Sequence, residues 1–233
     1  MAIINTEKSF IMIHPPYVGG GIVIDAFRDE EGFGGRNPSM ESLRALFPKI
    51  DLVERKRFPN GKVQYIPGHI SRRVFDSIFV PDRRYFFSTI VRNPWERYYK
   101  LYNFLKDSPK HRFHNYINSF ADFSAFVVGY TQDMQLSQSL TDLSPSWSYI
   151  ASEQGLDYRF ILRFENIRED IGKLSSMAGL SLSTFDIKSV PTDYRPHYSN
   201  EAKDCIESLC WREVNLFGYR FHDISYFLPP APC

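Results

Sequence analysis

Residues 84–92, RYFFSTIVR, are a near-continuous apolar run followed at once by Asn-Pro. A run so short and so apolar predicts a strand covered on both faces, as at the centre of a parallel sheet. Pro94 then stands at the first position of a helix, where its missing N–H is not needed and its fixed φ is already helical. That helix, PWERYYKLYNFLKD, covers 94–107. The pattern recurs along the chain. A strand over 9–14 precedes a helix over 20–28, and the strand YRFILRF at 158–164 precedes a helix over 166–180. Strands alternating with helices predict an α/β fold, a single domain with a central parallel β-sheet flanked by helices.

Other elements fill in around that sheet. A glycine-rich loop spans 29–38, and 40–47 has helical spacing. Residues 52–66 read as two strands joined at Asn60-Gly61, a strong hairpin signal. Helices are expected over 71–79 and 120–130, with a polar, irregular stretch over 131–145. The last helix starts at 200 and ends near Gly218, a residue suited to the left-handed helix cap. The 233 residues fit one domain over 1–228, followed by a proline-rich, extended tail at 229–233.

Charge restricts the partners. The net charge is +1, so nothing predicts bulk attraction to nucleic acid or to an anionic membrane, and any anion site must be local. No apolar run approaches the length of a membrane span, and MAIINTEKSF lacks the basic-then-apolar pattern of a signal peptide. Cys205, Cys210 and Cys233 offer neither a disulfide framework nor metal spacing, which suits free thiols in a reducing cytoplasm. Aromatic residues make up 16% of the chain, and most are expected in the core.

Two strand ends can hold an anion, as expected for ligands of open α/β sheets. The first is the turn PPYVGGGI. Gly19, Gly20 and Gly21 either form a nest of backbone N–H groups at a helix start, or merely permit a tight turn and close helix–sheet packing. No Gly-Lys-Ser/Thr follows, so the turn is not the common nucleotide-binding loop. The second is Arg92, at a strand end and before a helix, with Lys100 two turns on. A guanidinium there can grip a phosphate with two parallel bonds, or Arg92 is a surface residue beside an ordinary Glu96–Lys100 helix pair.

Four blocks taken together resemble a family. IHPPYVGGGIVIDAF, STIVRNPWERYYKLYNF, FILRFENIREDI and YRPHYSNEAKDCIESLCWREVNLFGYRF look like the successive blocks of the sulfotransferase superfamily, closest to the carbohydrate sulfotransferases and their bacterial relatives. The resemblance implies a P-loop-NTPase-like sulfotransferase fold. It also implies transfer of a sulfuryl group from 3′-phosphoadenosine-5′-phosphosulfate (PAPS), the adenine nucleotide partner, to a small-molecule or lipidic acceptor. By resemblance, Gly19, Gly20 and Gly21 hold the 5′-phosphosulfate, Arg92 and Lys100 hold the 3′-phosphate, and Arg195 and Tyr198 lie in a lid region that touches nucleotide.

The donor loop departs from the family. Its usual Pro-Lys-Thr-Gly-Gly-Thr-Ser is matched here by Pro16 to Ile22, with Tyr17 in place of the lysine and Val18, Gly21 and Ile22 in place of the hydroxyls. Lys100 replaces a family serine. The base that takes the acceptor's proton is His69, in YIPGHIS, by resemblance to uronyl-type members; the alternative is a loop histidine capping the helix from Ser71. His14 is a second catalytic candidate, and Tyr17 can donate a hydrogen bond but brings no charge. A second reading therefore stands beside the first: a sulfotransferase fold that no longer uses PAPS. It would be either a binding protein or a cofactor-independent acid/base enzyme using Tyr17 and His69 for a cyclisation or elimination on a hydrophobic substrate. No metal is expected in either.

Overall fold

The computed structural model describes residues 2–5, 8–27, 65–66, 69–81, 83–133, 135–136, 141–183 and 193–223. In chain order the elements are β1 (Ala2–Asn5), β2 (Phe10–Ile13), α1 (Gly20–Ala26), β3 (Tyr65–Ile66), α2 (Arg72–Ile78), β4 (Phe86–Val91), α3 (Pro94–Lys106), α4 (His114–Asn118) and α5 (Phe123–Gln132). They continue with α6 (Trp147–Ile150), β5 (Phe160–Arg163), α7 (Ile167–Ala178), α8 (Asn200–Leu209) and α9 (Trp211–Phe217). The 29–38 loop, the 40–47 helix, the Asn60-Gly61 turn, Cys233 and the 229–233 tail lie outside the described residues. The chain gathers into two compact units. Met1–Val91 with Tyr149–Lys188 forms a sheet unit, and Arg92–Ser148 with Ser189–Cys233 a helical unit.

In the sheet unit the strand order among the described residues is β3-β1-β2-β4-β5. β2, β4 and β5 are parallel, as the strand–helix alternation predicts. The sheet as a whole is mixed, because β1 runs antiparallel to both β2 and β3. This corrects the expectation of a parallel sheet, and the reason is connection length. Only residues 6–9 separate β1 from β2, far too few for the crossover that parallel neighbours require. Ser9 takes a left-handed φ of 51°, and the Lys8 N–H donates to Asn5 Oδ1 at 2.9 Å inside this turn.

β2 is buried throughout, and its two sides meet different helices. Phe10 packs on Phe27 at the end of α1, with ring centroids 5.4 Å apart. Ile11 and Ile13 join Ala2, Ile4, Phe75 and Phe79 in a cluster beneath α2. Each such side chain contributes about 1.5–3 kcal/mol by leaving water. Ser71 caps α2, its Oγ accepting from Val74 N. After β5, the Asp170 carboxylate accepts from the Arg163 N–H at 2.7 Å and so fixes the turn into α7. Gly179, at φ 63°, ends that helix.

The helical unit holds much of the aromatic content. Tyr102, Phe123, Phe126 and Tyr130 stack along α3 and α5, and Tyr198 packs edge-on against Phe123 with centroids 4.7 Å apart. Asn93 caps α3 by accepting from Trp95 N and Glu96 N. Its Nδ2 donates to the carbonyls of Arg220 and Asp223. Residues 142–144 have carbonyls outside any ladder, and buried donors claim them. Arg97 Nη2 donates to Asp142 O and Ser144 O at 3.3 and 2.9 Å, and the Tyr98 and Tyr130 hydroxyls donate to Leu143 O at 2.5 and 3.0 Å. The predicted last helix is two, broken at Cys210, and its end at Gly218 (φ 66°) agrees with the sequence. No helix among the described residues is long and apolar enough to cross a membrane.

Candidate active site

The glycine turn stands at the carboxyl end of β2, beside its parallel neighbour β4. Its backbone is unusual at two positions. Tyr17 has φ 62° and Gly19 has φ 94°, both left-handed. For glycine this costs little; for tyrosine it costs about 1–2 kcal/mol, which the surrounding packing must supply. Val18, between them, is fully buried and anchors the turn. The N-cap of α1 is Gly19, which has no side chain to cap its first N–H groups.

The three glycines have three different reasons. A Cβ on Gly19 would stand 2.3 Å from the Phe164 ring, and its φ is already unsuited to side chains. A Cβ on Gly20 would stand 2.4 Å from Cε1 of His14. These two are explained by close packing. Gly21 is not: a Cβ there would meet no described atom within 4 Å, and its φ is not left-handed. Glycine in a helix costs roughly 0.5–1 kcal/mol relative to alanine, and nothing among the described residues requires that cost at Gly21. An alanine scan should therefore split by sign. Gly19→Ala and Gly20→Ala are expected to lower stability by about 1–3 kcal/mol through strain and overpacking. Gly21→Ala should raise it by about 0.5 kcal/mol. Urea unfolding of the three variants measures this, and a loss at Gly21 would make it one more packing glycine.

Two histidines flank the turn. His14 is buried, its ring against Gly20 and its Nδ1 3.3 Å from Pro15 O. Burial above all, followed by the positive charge of the amino terminus and then by His69, pushes its pKa well below the ordinary value, so the ring is neutral at pH 7. His69 is half-buried, edge-on to His14 and Tyr149 with centroids 5.6 and 6.2 Å away. Its Nδ1 lies 3.4 Å from His14 O. A carbonyl only accepts, so this long contact favours the Nδ1–H tautomer and puts the ring's lone pair on Nε2, the arrangement a general base needs. His69 does not cap α2, because Ser71 does. Tyr149 has no motif in the sequence and is brought to His69 by the fold alone.

In the helical unit, Arg92, Glu96 and Lys100 follow one stripe at four-residue spacing. Arg92 Nη2 donates to Glu96 Oε1 at 2.7 Å, and both side chains are buried. Glu96 pairs with Arg92, and its charge also acts on Lys100. Lys100 is half-buried, and burial together with the Arg92 charge pulls its pKa down, with Glu96 partly offsetting them. Arg195 is clamped by Asp193 through two 2.8 Å bonds. The Tyr198 hydroxyl donates to Trp95 O at 2.9 Å. Comparisons with family models, with curated proteins and with solved structures return no match.

Proposed function

We propose that this chain catalyses PAPS-dependent sulfuryl transfer to a hydroxyl (or amine) of a small or lipidic acceptor, by in-line displacement. The observation that carries the reading is Gly21, an exposed glycine at the start of α1 whose φ is not left-handed and for which a Cβ would meet no atom of the described residues. A backbone left bare at that point suits close approach of an oxyanion to N–H groups. The four family-like blocks, in order along the sequence, supply the chemistry.

The family resemblance assigns the 5′-phosphosulfate to the glycine turn and the 3′-phosphate to Arg92 and Lys100. The acceptor oxygen attacks sulfur, the bond from sulfur to the bridging oxygen breaks, and 3′-phosphoadenosine-5′-phosphate leaves. The acceptor's proton goes to Nε2 of His69. Negative charge gathers on the leaving oxygen, where the family has a lysine and this chain has Tyr17. Loss of one such stabiliser commonly costs about 10²–10³ in rate, so a slow enzyme is expected.

One observation favours the second reading: His69 lies edge-on to both His14 and Tyr149, and Tyr17, at the family's lysine position, takes a left-handed backbone. That arrangement suits a cofactor-independent acid/base enzyme or a binding protein. The product nucleotide separates the two. At 100 times its dissociation constant, 3′-phosphoadenosine-5′-phosphate should stabilise the chain by about 2.7 kcal/mol, a rise in Tm of roughly 5–10 °C at this size. Gly21→Leu, which adds bulk where a Cβ meets no described atom, should abolish the rise. Absence of a thermal shift at millimolar nucleotide removes the sulfotransferase reading and leaves the second.

A further inference from the structure

A different charged site lies in the sheet unit, at the amino-terminal ends of β4 and β5, opposite to the strand ends that carry the glycine turn. A cleft of about 390 Å³ opens there, lined by Arg72, Arg83, Arg84 and Arg159 with Asp76 and Asp157 as the acids. This is the size of a small-ligand site. Among the described residues, arginines outnumber acids by two in this lining, although the whole chain carries a net charge of only +1.

The inner wall is built and rigid. The Arg72 guanidinium lies 3.9 Å from the centre of the Phe87 ring and 5.3 Å from that of Tyr158. Its Nε donates to Asp76 Oδ1 at 2.6 Å and its Nη1 to Asp157 O at 3.0 Å, so a buried side chain is fixed on four sides. Asp76 is thereby committed to Arg72. The Asp157 carboxylate reaches Arg72 only at 3.8 Å and is itself 80% exposed, a weak partner. The outer wall is formed by exposed arginines on neighbouring strands. Arg84 precedes β4, and Arg159 immediately precedes β5, its N–H donating to Phe87 O at 2.8 Å. Guanidinia converging on one cleft repel one another, and an anion that bridges them relieves that repulsion through charge-assisted, bidentate bonds.

We propose that this cleft binds a compact polyanion, a small molecule carrying two or more phosphate or sulfate groups, at a site separate from the glycine turn. Inorganic pyrophosphate is the probe. Titration calorimetry on the full chain carrying Gly21→Leu, which blocks the glycine turn, should show one-site binding that weakens as salt is raised. Adding Arg84→Ala and Arg159→Ala should weaken that binding at least tenfold. Both side chains are exposed, so Tm without ligand should stay within about 1–2 °C. No binding at millimolar pyrophosphate in the Gly21→Leu chain, or binding that survives loss of both arginines, overturns the proposal. Its failure is distinct from that of the sulfotransferase reading, which is read by the adenine nucleotide on the chain with Gly21 intact.

Discussion

Replacing Arg97 with methionine is expected to destabilise the helical unit by about 3–5 kcal/mol, the range for breaking a buried charge network from one side. Arg97 is fully buried, and it donates to two carbonyls of the 142–144 segment. Methionine has similar reach and no donors, so both carbonyls lose their partner in a dry interior. The buried Glu213 loses a neighbouring positive charge as well. Burial already pushes the Glu213 carboxyl above the usual carboxylate range, and Arg97 is what pulls it back. Burial likewise works against the charge on Arg97, but Tyr98 and Glu213 more than offset it and leave its pKa raised. A second substitution sharpens the test. Glu213→Gln in the Arg97→Met background should recover part of the loss, because a neutral amide needs no counter-charge. The chain offers a local probe: its three tryptophans, Trp95, Trp147 and Trp211, all lie in the helical unit. Urea unfolding followed by tryptophan fluorescence therefore reports on that unit. A change below about 1 kcal/mol would mean that the 142–144 carbonyls are held by Tyr98 and Tyr130 alone.

Arg97 also shows what a sequence does and does not make legible. The buried strand before Arg92, the proline start of α3 and the glycine end of α9 were all readable, because each depends on residues adjacent in the chain. β1 was not, since AIIN is four residues long and has no turn signal of its own. It exists because β2 and β3 lie on either side of it. The break at Cys210 was equally hidden, as apolar spacing continues smoothly from α8 into α9. Side-chain partners were the least legible. Arg92, Arg97 and Arg195 are alike as letters, yet one is paired with Glu96, one holds loop carbonyls in the core and one is clamped by Asp193. Choosing among such partners requires knowing which groups have lost water, and that is a property of the folded units. The glycine turn was half legible. Three consecutive glycines announced a special backbone, but the separation of Gly19 and Gly20, held by packing, from Gly21, which is not, needed the positions of Phe164 and His14.

For the sulfuryl transfer proposed above, His69→Ala is expected to lower the rate by about 10²–10⁴, the usual contribution of a positioned base, while leaving nucleotide affinity unchanged. The dependence on acceptor makes the role specific. Phenol, with a pKa near that of tyrosine at about 10, must lose its proton as sulfur is attacked, so it needs His69. A nitrophenol already ionised at the assay pH has no proton to give and should be almost indifferent to the substitution. The pH profile follows from the same assignment. A base works in its neutral form, so phenol transfer should fall on acidification, and His69→Ala should flatten that dependence. The Nδ1 contact to His14 O matters here because it keeps the lone pair on Nε2. A ring that merely packs between His14 and Tyr149 would produce a different result: equal losses for both acceptors, together with a lower Tm. A loss of activity that appears without any PAPS in the assay would instead place His69 and Tyr17 in the cofactor-independent chemistry.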